Sequence, residues 1–184
     1  MSENGQTNGA IARYEPQQQV GSIGLLRGLL TSNEGRIAEV MPRHVDSHRL
    51  LKLFLIAVNK QPKILECTQE SVIQTIMDAA QLGLDISGRL GEAWPVPYFN
   101  KRTRAYECQL IVGYQGPIKL ARQSGEVRRV EAEVVRENDH FVYRKGTQMT
   151  IEFQPVLSGE RGDVIGAYAL VEFTNGGAQT DWMS

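Results

Sequence analysis

Seven cations crowd one stretch of this chain. Between Tyr98 and Arg129 lie Lys101, Arg102, Arg104, Lys119, Arg122, Arg128 and Arg129 against only Glu107 and Glu126, an excess of five positive charges in a chain whose net charge is −1. Such a concentration suits a phosphate backbone: each phosphate neutralised releases condensed counterions, so binding is strong, sequence-blind and salt-sensitive. Tyr98, Phe99, Tyr106 and Tyr114 are interleaved with the cations, and an aromatic ring stacked on a base contributes about 1–3 kcal/mol. Two plainer readings compete. Basic clusters also occur as solvated faces of proteins that touch no nucleic acid. Alternation along 106–114 sets Tyr106, Cys108, Leu110, Val112 and Tyr114 on one side of a strand, where packing is the commoner role. Tyr98 and Phe99 are the better stacking candidates.

Other chemistries find weaker footholds. His44 and His48 are four apart, but Val45 stands where a zinc protease motif needs its glutamate base. Asp78, Asp85, Glu92 and Glu107 are acids of the kind that hold magnesium in a nuclease, without a recognisable carboxylate–lysine arrangement. Ser158-Gly159 and Thr174–Gly177 read as loops with no base nearby. Cys67 and Cys108 have no partner at metal spacing and read as small buried hydrophobes. No Gly-x-x-x-x-Gly-Lys-Ser/Thr loop is present to cradle a triphosphate. The sequence therefore predicts no cofactor, no metal and no catalytic residue.

The elements that would position the cations can be read from pattern. The 184 residues suit one domain, or a core with an appended lobe. Residues 1–21, rich in Gln, Asn, Gly and Ser, read as a disordered tail. Residues 22–84 read as a helical lobe for packing and oligomerisation. It holds a short helix capped by Ser22, a turn or two over Glu34–Met41, a helix over Asp46–Lys60 whose apolar residues nearly encircle it, and a helix capped by Thr68 and stopped by Gly83. Residues 85–184 read as an α+β core. Glu92–Phe99 and Tyr106–Tyr114 form a hairpin with Asn100–Ala105 at its tip, and Pro95 and Pro97 confine the first strand to an edge. A short helix follows over Gln115–Ser124, with Pro117 in its first turn and Gly125 past its end. Antiparallel strands then fall at Val127–Val135, Phe141–Arg144, Met149–Phe153, Val164–Phe173 and Ala178–Met183, with Asn175-Gly176-Gly177 as a turn. Ending in a strand, the chain reads as truncated. No apolar run is long enough for a membrane span and no signal peptide is apparent, so a cytoplasmic protein with no membrane partner is expected. If the hairpin lies beside the short helix, Lys101, Arg102 and Arg104 face Lys119 and Arg122 across a groove, which one of Arg128 and Arg129 extends.

The run Cys108–Gly125, CQLIVGYQGPIKLARQSG, resembles the central signature of the RecT family of phage single-strand annealing proteins, in the RecT/Red beta recombinase superfamily. Ala79–Leu84 is similar to the family's upstream helix end and Glu137-Asn138-Asp139 to its downstream turn, so the resemblance spans 37–184. It implies a core related to eukaryotic strand-annealing proteins and ATP-independent binding and annealing of single-stranded DNA in recombination and repair, through an annealed duplex intermediate. It also implies a homo-oligomeric ring or filament, a companion 5′–3′ exonuclease and contact with a host single-strand-binding protein. On this resemblance Phe99, Asn100, Lys101, Arg102, Arg104, Tyr114, Gln115, Lys119, Arg122, Arg128 and Arg129 are the expected DNA contacts. Gln115 and Gln123 stand where relatives often carry basic residues, so the hairpin cations and Arg128 or Arg129 are expected to compensate. A self-assembling or protein-binding module without annealing activity, and a metal-dependent nuclease, are the alternatives.

Overall fold

The computed structural model describes residues 18–42, 46–146 and 149–184. It is an α+β protein whose chain divides into two compact units, Met1–Gly113 and Tyr114–Ser184.

In the first unit, α1 (Ile23–Val40), α2 (Ser47–Lys60), a 3-10 helix (Pro62–Glu66) and α3 (Gln69–Leu82) precede a hairpin of β1 (Ala93–Asn100) and β2 (Ala105–Val112). Each α-helix begins on a side-chain cap: Ser22 Oγ accepts from Leu25 N at 3.2 Å, Asp46 Oδ1 from His48 N at 3.0 Å and Thr68 Oγ1 from Ser71 N at 3.4 Å. Gly83 ends α3 in the left-handed region at φ 64°. The short helix and separate turn expected over 22–41 are one continuous helix. Gly28 and Gly35 lower its propensity without breaking it, because Leu26, Leu30 and Ile37 are buried along one side. Asn33 turns its amide back to Leu29 O at 2.8 Å rather than ending the turn. These residues join Leu50, Phe54, Val58, Ile64, Val72, Ile76, Ala79 and Ala80 in the core.

Residues 18–21, expected in the tail, are ordered by backbone pairing: Val20 N donates to Cys67 O at 3.0 Å, Gly21 N to Leu65 O at 2.8 Å and Gln69 N to Gln18 O at 2.9 Å, with Val20 buried. The remainder of the expected tail lies outside the described residues. The hairpin is tied to α3: Thr68 N donates to Tyr106 O at 2.9 Å, Cys108 N to Ser71 Oγ at 2.9 Å and Thr75 Oγ1 to Cys108 O at 2.9 Å. The hairpin thus belongs to the same compact unit as the helices, which ends at Gly113. Cys67 and Cys108 are both buried, with side chains in hydrogen-bonding contact; that contact and burial push the Cys67 thiol up.

In the second unit, α4 (Gln115–Gln123) precedes β3 (Val127–Arg136), β4 (His140–Arg144), β5 (Thr150–Gln154), β6 (Val164–Phe173) and β7 (Ala178–Met183). The sheet order is β3-β6-β7, all antiparallel, and β4 pairs with β5. Aromatic residues join the two: Phe141 lies 4.6 Å from Trp182 and 5.7 Å from Tyr168 between ring centres, and Phe153 lies 5.4 Å from Tyr168. Tyr168 donates to Glu131 Oε1 at 2.5 Å, and burial first, then this bond, raises its pKa. The Glu137–Asp139 turn is fixed by Asp139, whose solvent-shielded carboxylate accepts from Arg161 Nη2 at 2.6 Å, Val156 N at 3.0 Å and Arg136 N at 2.9 Å.

No helix among the described residues is long and apolar enough to cross a membrane.

Candidate nucleic-acid interface

The tip of the β1–β2 hairpin is a four-residue loop built by Asn100. Its Oδ1 accepts from Arg102 N at 2.9 Å and Thr103 N at 3.4 Å, while its Nδ2 donates to Glu107 Oε1 at 2.8 Å. Asn100, an expected DNA contact, thus also shapes the turn that carries the cations. Arg104 closes the loop at φ 48°, left-handed for a residue with a Cβ. Lys101, Arg102 and Arg104 are exposed and form no ion pair among the described residues. The loop is therefore a fixed scaffold carrying three outward charges.

The strands beneath the tip alternate as expected. Ala93, Pro95, Pro97 and Phe99 share one face with Tyr106, Cys108 and Leu110. Ala93 and Cys108 are buried on this face, Cys108 against Cys67, while α3 bonds to the backbone along the free edge of β2. Phe99 packs edge-on against Tyr106 at 5.3 Å, and Lys63 sits 4.3 Å over the Tyr106 ring, its ammonium pKa raised by hydrogen bonding to that tyrosine. Phe99, offered as a stacking residue, already has a ring partner, although it remains exposed. Lys63 escaped notice because it lies 35 residues before Tyr98 in the chain and reaches the hairpin only through the fold.

In the second unit Tyr114 precedes α4 and is 75% exposed, so it is not the buried strand residue that alternation suggested. Gln115, Lys119 and Arg122 lie on α4, the last two one turn apart; Arg122 is exposed, and Gln115 and Lys119 are half-buried. Ser124 N donates to Leu120 O at 3.0 Å and Gly125 follows at φ 75°, as the sequence indicated. Arg128 and Arg129 depart from strict alternation. A register irregularity between Val127 and Arg129 lets both approach one acid: Arg128 Nε lies 3.8 Å and Arg129 Nη1 3.7 Å from Glu172, and Arg129 also pairs with Glu131. Glu172 lies in β6, 43 residues downstream of Arg129, where no local pattern links it to them.

The acids considered for other chemistry each accept a hydrogen bond within the fold. Asp78 accepts from Gln74 Nε2 at 2.7 Å, Asp85 from Ser87 Oγ at 2.5 Å, Glu92 from Asp85 N at 2.7 Å and Glu107 from Thr103 Oγ1 at 2.9 Å. Among the described residues no three His, Cys, Asp or Glu side chains gather as a metal site would need. His44 lies outside the described residues, while His48 pairs with Glu34 at 2.9 Å.

Comparison with known proteins agrees with the hairpin and helix signature. Protein RecT of Escherichia coli (strain K12) is 33% identical over 157 residues, covering 83% of this chain and 57% of the relative. Uncharacterized protein YqaK of Bacillus subtilis (strain 168) is 31% identical over 168 residues, 90% of this chain and 55% of the relative. The chain thus spans little more than half the length of these curated relatives. The family model of the RecT family matches residues 48–184, and with the extent of these similarities the chain belongs to the RecT family.

Proposed function

We propose that this chain binds single-stranded DNA and promotes annealing of complementary strands without a nucleotide, as a homo-oligomer working in recombination. The observation that carries the reading is the hairpin tip, three exposed cations on a loop whose shape is fixed by Asn100. Lys101, Arg102 and Arg104 neutralise phosphates in the first unit; Lys119 and Arg122 do so in the second, with Arg128 and Arg129 joining as Glu172 yields them. Phe99, Tyr114 and Gln115 contact the sugar–base side of the strand. Charge contact of this kind selects no sequence, and base pairing supplies the specificity and the remaining free energy. A 5′–3′ exonuclease that exposes the strand and a host single-strand-binding protein that yields it are the partners this chemistry calls for.

The test is annealing of two labelled complementary oligonucleotides without ATP across a salt series. Acceleration that fades with salt supports the proposal. Shortened label means a nuclease, and unchanged annealing means a scaffold.

A further inference from the structure

We propose that the face of the β1–β2 hairpin opposite the buried Ala93 and Cys108 is a base-stacking surface anchored by Trp94, with Tyr98 beside the basic tip. This rests on the reading of the chain as a single-strand binder. The strand register places Trp94, Val96 and Tyr98 on that face opposite Ile111, Gln109 and Glu107. Trp94 is 37%, Tyr98 46% and Ile111 38% exposed, an unusual run of apolar groups open to solvent on one short hairpin. Phe99 and Val112 on the opposite face are exposed as well, but there Phe99 is met by Tyr106 and the Tyr106 ring by Lys63. Trp94 and Tyr98 have no ring partner and no side-chain hydrogen bond among the described residues.

Trp94 is nevertheless held in place. A methyl group built on Gly88 would overlap the five-membered end of the indole, and one built on Gly113 would overlap the six-membered end. Gly88 also has φ +72°, so the backbone there suits glycine twice over. A large ring fixed between two glycines yet open to solvent loses little freedom on meeting a flat ligand.

The occupant is a nucleobase, on grounds of charge and spacing. Trp94 and Tyr98 are two outward positions apart with Val96 between them, roughly 13 Å along the strand, and Tyr98 leads on to Lys101, Arg102 and Arg104, where a chain of linked phosphates is held. Rings on a sheet face with cations at its end suit a single strand whose bases lie flat and whose backbone passes the tip. The acid on this face, Glu107, is engaged by Asn100 and Thr103.

The chain has two tryptophans, so Trp182→Phe leaves Trp94 as the reporter, and the full chain is titrated with oligothymidylate. Saturable quenching of Trp94 is expected. Trp94→Ala should weaken binding about tenfold, Trp94→Phe less, and neither should change the salt slope because no phosphate contact is lost. Unquenched fluorescence with wild-type affinity in Trp94→Ala overturns the inference and leaves the single-strand reading standing. A change in subunit assembly with unchanged affinity also overturns it, since the face would then cover a second copy. If the parent protein binds no oligothymidylate, the single-strand reading fails and this inference with it. Tyr98→Ala, remote from both glycines, keeps the test meaningful if Trp94→Ala does not fold.

Discussion

Arg104 combines two properties that a single substitution can separate. Its φ of 48° costs a residue with a Cβ about 1 kcal/mol, which glycine does not incur. Arg104→Gly should therefore raise stability by up to about 1 kcal/mol relative to Arg104→Ala, while both lose the same single-strand affinity, checked by thermal melting and anisotropy. Glu172 is a second such point. It lies 3.8 Å from Arg128 and 3.7 Å from Arg129, and exposed pairs of this kind contribute only about 0–1 kcal/mol. Glu172→Gln should tighten single-strand binding a few-fold; unchanged affinity would remove both arginines from the contact set. Asp139 governs stability rather than binding. The Arg161 guanidinium holds its carboxyl well below the usual carboxylate range. A folded-state pKa below the unfolded value of about 3.9 stabilises above that pH and is lost as pH falls through it. Asp139→Asn should lower the melting temperature by several degrees near neutral pH and flatten its fall below about pH 4; parallel profiles for the two proteins would contradict this.

The hairpin depends on its glycines as much as on its strands. Gly113→Ala drives a methyl into both the Trp94 ring and the Gly91 carbonyl, an overpacking that costs about 1–3 kcal/mol and should shift Trp94 emission; an unchanged melt and emission would contradict this packing. The features readable in advance were those written in local chemistry. Ser22 and Thr68 cap their helices, Gly83 and Gly125 end theirs, and alternation located the strands to within one or two residues. What escaped depends on distant partners. Residues 18–21 look like tail until the carbonyls of Leu65 and Cys67 accept their N–H groups. The continuity of α1 through Gly28 and Gly35 comes from tertiary burial of Leu26, Leu30 and Ile37. For the candidate site, residue type was enough to find the cations of the hairpin tip. Their surroundings were not: the bonds of Asn100 within its turn, the irregularity beside Arg128 and the approach of Lys63 all required three dimensions. Trp94 had a faint signal, a tryptophan among Gly88, Gly91 and Gly113, which only the fold made meaningful.

Each of the two compact units carries its own exposed cations. The near-neutral total charge does not count against the proposed function, because a phosphate backbone would meet the local exposed charges rather than their sum. Phosphate contacts leave a countable signature, since each contributes about 0.7 to the slope of log affinity against log salt for a single strand. The most direct measurement is that slope for the wild-type chain and for Lys101→Ala/Arg102→Ala/Arg104→Ala binding oligothymidylate. A hairpin tip that holds the strand predicts a slope shallower by roughly 2 in the triple variant, with weaker affinity at every salt concentration. Equal slopes and equal affinities would contradict it.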